Sequence, residues 1–453
     1  MPSPIRALPV LVLLCSCAAI RPVPADTRTP LAKAHADLAA GRNDEAANEF
    51  EQILEGDPGS LAALRGRVET ARRRGDLARV ASEAAAAAQS RPADGAAFYA
   101  LGLVRSAQRD AAAAETAFTR ALELMPAEAD VAYRLGLVLL ERQKLPEARA
   151  SLARSVELAP SAVRYRIVLA SCLAKSGDRA AAVGALREIP RLQPTPEETS
   201  LAVKAERGIL DPFREVPADA RHEVENALGY LSGDAPGLAL EGLEALVGRY
   251  PDLAIGHALL ALAAERLEER ARAVSELKRA AELAPHLPQP HAWLGELFEV
   301  TDRPELAAKE YAAAVELGPL EGDTLRRLGF LRFERLGQPA AALEPLRDAA
   351  ALDPADPSLQ ILVARAEFAA GEAPGGLARL DRLVVGRPEE VDVLVGVAAA
   401  LYDRSASSDP AERPQLTRRV VSLCEKALEL RPQSANAARL LAQARAAGAN
   451  SGH

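Results

Sequence analysis

Proline recurs through this chain at a fixed interval, and that interval limits what the chain can fold into. A first series of five prolines keeps a spacing of 34 residues, and a second series of six keeps 34 or 35 until a last step of 44: Pro58, Pro92, Pro126, Pro160 and Pro194, then Pro251, Pro285, Pro319, Pro354, Pro388 and Pro432. A regular period of this size is the mark of a repeat architecture. The sequence therefore predicts eleven repeated units rather than the few globular domains that 453 residues would otherwise suggest.

The residues around each proline predict two helices in every unit. Apolar, helix-favouring runs such as those before Pro126 and Pro285 end at the proline, which has no N–H and disfavours α geometry in the residue before it. Near the middle of several units a glycine precedes an aspartate, as at Gly75 and at Gly233. Such a pair supplies a left-handed C-cap and an N-cap, so each unit is expected to be a helical hairpin.

Composition favours closely packed helices and argues against binding to nucleic acid. Aromatic residues make up 4% of the chain, so alanine, leucine and valine supply most of its 49% hydrophobic content. The net charge is −8 and no long basic run is present, so the phosphate-neutralising surface that nucleic-acid binding needs is missing. We therefore expect an all-α protein with no nucleic-acid partner.

Individual units resemble the tetratricopeptide repeat, a helical hairpin of about 34 residues. The resemblance is carried in one unit by Phe98, Leu101, Gly102, Ala114, Phe118, Ala121 and Pro126, and in another by Leu294, Gly295, Phe298, Ala307, Tyr311, Ala314 and Pro319. It implies a right-handed superhelical solenoid of about eleven hairpins in two blocks, with small residues facing small residues where paired helices approach. It also implies a protein-interaction scaffold rather than an enzyme, with no cofactor and no small-molecule substrate.

The spacing between the two proline series divides the chain. Pro194 and Pro251 lie 57 residues apart, which is 23 more than one unit and indicates a joint with an extra helix near residues 197–207. Pro345 falls within a second helix and is expected to bend it. The predicted organisation is a signal peptide at 1–16, a tether at 17–26, a first block of about five repeats at 27–196, the joint at 197–219, a second block of about six repeats at 220–434, and a capping helix and tail at 435–453.

The amino terminus resembles a bacterial lipoprotein signal. One cation, Arg6, precedes an apolar stretch from Ala7 to Leu14 that is too short to span a membrane. The run that ends at Cys17 is similar to a lipoprotein box, which implies that Cys17 receives lipid after cleavage. The aspartate that this resemblance associates with inner-membrane retention is absent after Cys17. We therefore expect an outer-membrane anchor facing the periplasm, with a soluble periplasmic protein as the alternative.

Patterns typical of catalysis and metal binding are missing from the sequence. No HExxH, GxxxxGK[ST] or GxSxG motif is present, and the six histidines show no metal-ligand spacing. Cys172 and Cys424 fall in distant units, so they are expected to be separate core thiols. We predict no catalytic residue and no metal site.

The same resemblance places the second, fifth and ninth positions of each unit in a groove lined by first helices. In three consecutive units these positions include Tyr99, Leu103, Tyr133, Leu137, Arg164 and Ile167. We expect Tyr99, Tyr133 and Ile167 to form a row of anchors for an amphipathic helix or an extended segment, because rigid side chains lose little entropy on docking. The competing interpretation is that they pack between units. A second apolar patch is predicted at Phe330, Phe333 and Phe368.

The function expected from these features is to assemble or stabilise a cell-envelope complex of the pilus, polysaccharide-export, secretion or motility type. Its partners would be other proteins of the cell envelope, and it would reach the membrane through a lipid anchor. The alternative is a periplasmic chaperone-like carrier that holds client segments in the groove.

Overall fold

The computed structural model describes the backbone of residues 29–450 and the side chains of residues 29–447. The predicted signal peptide, Cys17 and the tether lie outside the described residues. Within the described part of the chain there are 24 α-helices and no β-strand. The all-α prediction is therefore confirmed.

Ten helices form five successive hairpins in the amino-terminal part of the chain, and one further helix follows them. They are α1 (Pro30–Ala39), α2 (Asn43–Gly56), α3 (Leu61–Arg74), α4 (Leu77–Ser90), α5 (Gly95–Ala107), α6 (Ala111–Leu124), α7 (Ala129–Glu141), α8 (Leu145–Leu158), α9 (Val163–Lys175), α10 (Arg179–Arg187) and the extra helix α11 (Pro196–Ile209). A short 3-10 turn, Pro190–Leu192, precedes α11.

Twelve helices form six further hairpins, and a last helix closes the chain. They are α12 (Arg221–Ser232), α13 (Pro236–Arg249), α14 (Ala254–Arg266), α15 (Arg270–Leu283), α16 (Gln289–Val300), α17 (Pro304–Leu317), α18 (Gly322–Phe330), α19 (Pro339–Leu352), α20 (Pro357–Ala369), α21 (Ala373–Gly386), α22 (Val391–Ser407), α23 (Arg413–Leu430) and the closing α24 (Ala435–Asn450). One π-helical turn, Leu331–Arg335, continues α18.

The turn inside each hairpin contains a residue with left-handed backbone geometry in ten of the eleven hairpins. Glycine takes this position at five of them: Gly41, Gly75, Gly177, Gly337 and Gly371. The others use Arg109, Gln143, Asp234, Glu268 and Asp302, with φ between 55° and 62°. Asp234 therefore has the left-handed geometry that the sequence predicted for Gly233, whose φ is −86°. The turn is set by the repeat, because non-glycine residues adopt an unfavourable φ at equivalent positions.

Inside a hairpin, small residues of the first helix face large residues of the second. A Cβ on Gly102 would lie 2.6 Å from the ring of Phe118, and one on Gly136 would lie 2.6 Å from Leu152. The expectation that small faces small is therefore wrong at these glycines. Ring and branched side chains fill the space that each missing Cβ leaves, which brings the two helices together while keeping the interior filled.

The described chain divides between Ala185 and Leu186 into two compact units. In the amino-terminal unit, side chains from α3 to α9 form one continuous hydrophobic cluster. In the carboxy-terminal unit the buried residues form several consecutive clusters, and α24 contributes Leu440 and Ala444 to the cluster of α22 and α23. Burial in consecutive clusters is expected of an array in which each hairpin covers the apolar side of its neighbour.

The extra helix α11 packs within the carboxy-terminal unit. Glu206 of α11 is 1% exposed and accepts a 3.0 Å hydrogen bond from the backbone N–H of Leu320, which lies between α17 and α18. Arg187 donates to Glu316 at the end of α17 over 2.6 Å. These contacts join the joint region to the eighth and ninth hairpins, more than 110 residues further along the chain.

Candidate functional site

The carboxylate of Asp130 on α7 joins side chains from four consecutive hairpins. Its Oδ1 accepts from Arg65 Nη1 at 2.8 Å and from the Tyr165 hydroxyl at 3.2 Å, and its Oδ2 accepts from the Tyr99 hydroxyl. The Nε of Arg134 lies 3.7 Å from Oδ2. Because the Asp130 side chain is only 14% exposed, these interactions are partly shielded from water. We call Asp130 and these four partners the Asp130 cluster.

The repeat itself brings the cluster together. Arg65, Tyr99 and Tyr133 are separated by 34 residues each and occupy the same position on α3, α5 and α7. Equivalent positions on stacked hairpins follow one another along one face, so residues far apart in sequence meet on it. Asp130 lies one turn before Tyr133 on α7, which places its carboxylate between the rows of neighbouring hairpins.

An aromatic pair lies beside this carboxylate. The rings of Tyr133 and Tyr165 stack with centroids 4.4 Å apart and an interplanar angle of 26°. The guanidinium carbon of Arg134 lies 5.8 Å from the centre of the Tyr133 ring, a cation–π distance. Burial, followed by the charge of Asp130, raises the pKa of Tyr165 to about 12, so its hydroxyl stays protonated and can donate to Asp130 at neutral pH.

The predicted anchor row is buried in the structure. Tyr99 has no exposed surface and packs edge-on against Phe118 with ring centroids 5.9 Å apart. Tyr133 is 6% exposed and Ile167 is 8% exposed. The expectation that these three form an exposed row is therefore wrong, because the fifth position of each first helix packs between hairpins. Whether they contribute to partner binding stays a prediction.

The other predicted groove residues of the amino-terminal unit differ in exposure. Leu103 is buried, Leu137 is half-buried against the hydrophobic cluster, and Arg164 is exposed on α9. Arg164 makes no hydrogen bond or ion pair among the residues that the structure describes. Among the predicted positions, Leu137 and Arg164 are thus the ones that present accessible surface.

In the carboxy-terminal unit, the predicted apolar patch is partly accessible. Phe330, the last residue of α18, is 41% exposed. Phe333 is half-buried, and the guanidinium carbon of Arg365 lies 5.5 Å from the centre of its ring. Phe368 is half-buried against the cluster of α22 and α23. The site role of these residues stays a prediction.

A charged cluster precedes that patch along the array. Arg327 Nη1 donates to Glu299 at 3.0 Å, and the Tyr311 hydroxyl donates to the same carboxylate at 2.9 Å. Glu296 lies 3.6 Å from Arg327, and burial raises the pKa of its carboxyl. One guanidinium thus lies between two glutamates from the preceding first helix.

Histidines and cysteines have structural surroundings. His257 and His291, 34 residues apart, each bond through Nδ1 to a glutamate of the second helix in the same hairpin, Glu276 and Glu310, at 2.7 Å. Cys172 and Cys424 are both buried and unbonded, in different units. No group of three or more His, Cys, Asp or Glu residues that could hold a metal converges among the described residues.

The sequence interpretation missed two members of the Asp130 cluster. Tyr165 and Arg134 occupy the third and sixth positions of their first helices, outside the second, fifth and ninth positions expected to line the groove. Arg65 lies at the fifth position, but in a run of arginines that is more often a solvated helix face. A signal was available in the match of period, since Arg65, Tyr99 and Tyr133 share one phase.

Comparison with known families supports the repeat assignment for the amino-terminal part. The family described as tetratricopeptide repeat matches residues 31–97, 99–163 and 133–195. Tetratricopeptide repeats therefore make up this stretch, and proteins of the family are in general non-enzymatic scaffolds for protein–protein interaction. No curated protein matches the chain.

Solved structures with the same kind of helical array resemble the chain at low sequence identity. YrrB, described as a tetratricopeptide-repeat protein with an unusual peptide-binding site, is 18% identical, covers 44% of this chain and 97% of its own, and has a TM-score of 0.37. Cut9–Hcn1 of the APC/C is 14% identical over 91% of this chain and 95% of its own, with a TM-score of 0.33. PilF of Pseudomonas aeruginosa is 19% identical over 49% and 96%, with a TM-score of 0.36. We take no site or partner from these likenesses.

Proposed function

We propose that this tetratricopeptide-repeat protein is a non-enzymatic interaction scaffold, anchored to the outer membrane through lipid on Cys17 and facing the periplasm. It assembles or stabilises a cell-envelope complex of the pilus, polysaccharide-export, secretion or motility type. Its partners are other proteins of the envelope.

The observation that carries the scaffold role is the continuous face formed by the first helices α3, α5, α7 and α9. The Asp130 cluster ties this face together from Arg65 to Tyr165, across 100 residues of sequence. A face whose side chains are already fixed loses little conformational entropy when a partner docks, so more of the contact energy remains for binding. This favours stable association with one partner over transient holding of many.

The membrane anchor is supported by the sequence of residues 1–26, with its apolar stretch and the run that ends at Cys17. No helix in the described part of the chain has both the length and the apolar character needed to cross a bilayer.

Crosslinking and pull-down of the full-length protein from native envelopes test the proposal. A scaffold co-purifies with its partner in fixed stoichiometry. Many clients in substoichiometric amounts would indicate the chaperone-like carrier instead. Capture of nothing above the level of an untagged control would contradict both.

A separate experiment tests the anchor. Cys17→Ala should abolish incorporation of labelled fatty acid and shift the protein from outer-membrane fractions to the soluble periplasm. The matched control is Cys172→Ala, which removes a buried thiol far from the amino terminus and should keep both label and location. A Cys17→Ala protein that still carries lipid and still sediments with outer membranes would refute the anchor.

A further inference from the structure

We propose that the first-helix face of the amino-terminal unit binds an acidic segment of a partner protein, with Arg134 and Arg164 as the residues that hold its carboxylates. This inference rests on the proposed scaffold function and names the chemistry of the partner. It begins from the number of hydrogen-bond donors and acceptors on the face.

The Asp130 carboxylate has little capacity to accept more hydrogen bonds. An ionised carboxylate offers about four lone-pair sites. Arg65, Tyr99 and Tyr165 already donate to Asp130, and Arg134 lies against it at 3.7 Å. A ligand that brings further donors therefore finds no acceptor at Asp130.

Donors on the same face are in surplus. A guanidinium has about five N–H groups. Arg65 uses one of them in the Asp130 cluster, and the buried Nε of Arg134 has no hydrogen-bond partner among the described residues. Arg164 makes no hydrogen bond or ion pair there either. The ligand that fits such a face is rich in acceptors.

The charges point to the same ligand. Arg65, Arg134 and Arg164 all act on the hydroxyl of Tyr133, and Asp130 is the one carboxylate that does so. The nearest other acid on α3, Glu69, is already bound by Arg72 and Arg73 on the same helix, at 2.7 and 2.8 Å. The face thus carries an excess of positive charge within a chain whose net charge is −8.

Partial burial makes this charge effective. The side chains of Arg65 and Arg134 are 35% and 32% exposed, so an ion pair with them is less screened than one on an open surface. Their guanidiniums lie beside the apolar rings of Tyr133 and Tyr165. A protein segment with acidic and apolar side chains satisfies both features, whereas a phosphate backbone or lipid headgroup satisfies only the charge.

Fluorescence anisotropy with the full-length protein in detergent tests the inference. The probe is a short labelled peptide of glutamate and leucine, and the matched probes replace every glutamate by glutamine or by lysine. We expect the glutamate peptide to bind about tenfold tighter than the glutamine peptide. Its affinity should fall as NaCl rises from about 0.05 to about 0.3 M. Equal affinity for the glutamate and glutamine peptides would overturn the inference.

Variants locate the binding. Arg134→Gln with Arg164→Gln should weaken the glutamate peptide about tenfold. Arg154→Gln on α8 is the matched control, because it removes the same charge from an exposed second helix. Arg164→Glu keeps the test valid if the double variant misfolds, since Arg164 is exposed. It should lose the glutamate peptide and gain the lysine peptide, and unchanged preferences would refute the site.

Two further outcomes separate this inference from the scaffold proposal. If the native partner is captured from envelopes equally well by wild type and by the double variant, the acidic-segment site is wrong and the scaffold stands. If the glutamate peptide binds as expected but no envelope protein is captured, the scaffold is wrong and the site stands. Tighter binding to phosphatidylglycerol vesicles or to a DNA oligonucleotide than to the peptide would contradict a protein partner.

Discussion

Arg332 donates a hydrogen bond of 3.1 Å from Nη1 to the carbonyl oxygen of Ala341. In a regular α-helix that carbonyl would accept the N–H of residue 345, but residue 345 is proline. Arg332 lies in the π-helical turn, where Leu336 donates to Leu331 across five residues at 2.9 Å. The π-helical turn thus positions a donor for the acceptor that Pro345 leaves without its helical partner.

A double-mutant cycle tests this relationship. Arg332→Met should lower the local free energy of opening of α19 by about 0.5 to 1 kcal/mol, because the Ala341 carbonyl is exposed and water replaces much of the bond. In a Pro345→Ala background the N–H of residue 345 serves that carbonyl, so the same substitution should cost almost nothing. Amide hydrogen exchange of α19 measures both values.

The control for the cycle is Arg335→Met, in the same π-helical turn. Arg335 pairs with Asp302 at 2.5 Å and does not contact Ala341. Its cost should be the same with and without Pro345. Equal costs for Arg332→Met in the two backgrounds would show that Arg332 does not compensate for the proline.

Gly295 is predicted to be intolerant of a side chain. A Cβ there would lie 2.6 Å from the ring of Tyr311, which cannot swing away without breaking its hydroxyl bond to Glu299. Gly295→Ala should therefore lower the opening free energy of α16 and α17 by about 1 to 3 kcal/mol, measured by hydrogen exchange. Gly322→Ala is the control, since its Cβ meets no atom within 4 Å and the helix should be unchanged or slightly more stable. Equal effects would contradict the packing described here.

The fold was accessible from sequence because its signals are local and repeated. Proline marks the end of each hairpin, and the period locates the turns even at Arg109 and Gln143, where no glycine signals them. The Asp130 cluster was not accessible in the same way. It depends on how far one hairpin rotates against the next, and that rotation decides whether a side chain such as Tyr99 faces the groove or packs between hairpins. The sequence period does not contain that rotation.

Asp130→Asn tests whether the cluster ties the first helices together. Asparagine keeps the shape and can still accept from Tyr99, but it leaves Arg65 and Arg134 without their partly buried counter-charge. We expect the opening free energy of α5 and α7 to fall by about 2 to 4 kcal/mol, measured by hydrogen exchange. Asp110→Asn is the control, because Asp110 caps α6 through the N–H of Ala113 and asparagine caps helices equally well. A cost no larger than that of the control would contradict the cluster's role.

Glu206 makes the packing of α11 depend on pH. Burial raises the pKa of its carboxyl to about 8, opposed mainly by the bond from the Leu320 N–H. The nearby charges are Glu321, which raises the pKa further, and Arg207, which lowers it. Because the folded carboxyl holds its proton more tightly than the unfolded one, its stability contribution is complete below about pH 4.5 and declines until about pH 8.

Glu206→Gln isolates this effect, because glutamine cannot ionise. Near pH 4.5 the variant and the wild type should open α11 with similar free energies. By about pH 9 the variant should be more stable by about 3 to 5 kcal/mol. Hydrogen exchange of α11 and of the Leu320 amide, compared at each pH, measures the difference. The prediction is contradicted if the difference stays constant with pH, and Glu198→Gln, in the exposed first turn of the same helix, serves as control.

The central claim is that the first helices of the amino-terminal unit form the face that a partner protein occupies. Site-specific photo-crosslinking in native envelopes tests it most directly, with the crosslinker at Leu137 on α7 and, for comparison, at the exposed Thr119 on the second helix α6. The account predicts one envelope protein crosslinked in fixed yield from position 137 and absent from position 119. Capture of the same protein from position 119 alone, or of an unselective mixture from both positions, would contradict it.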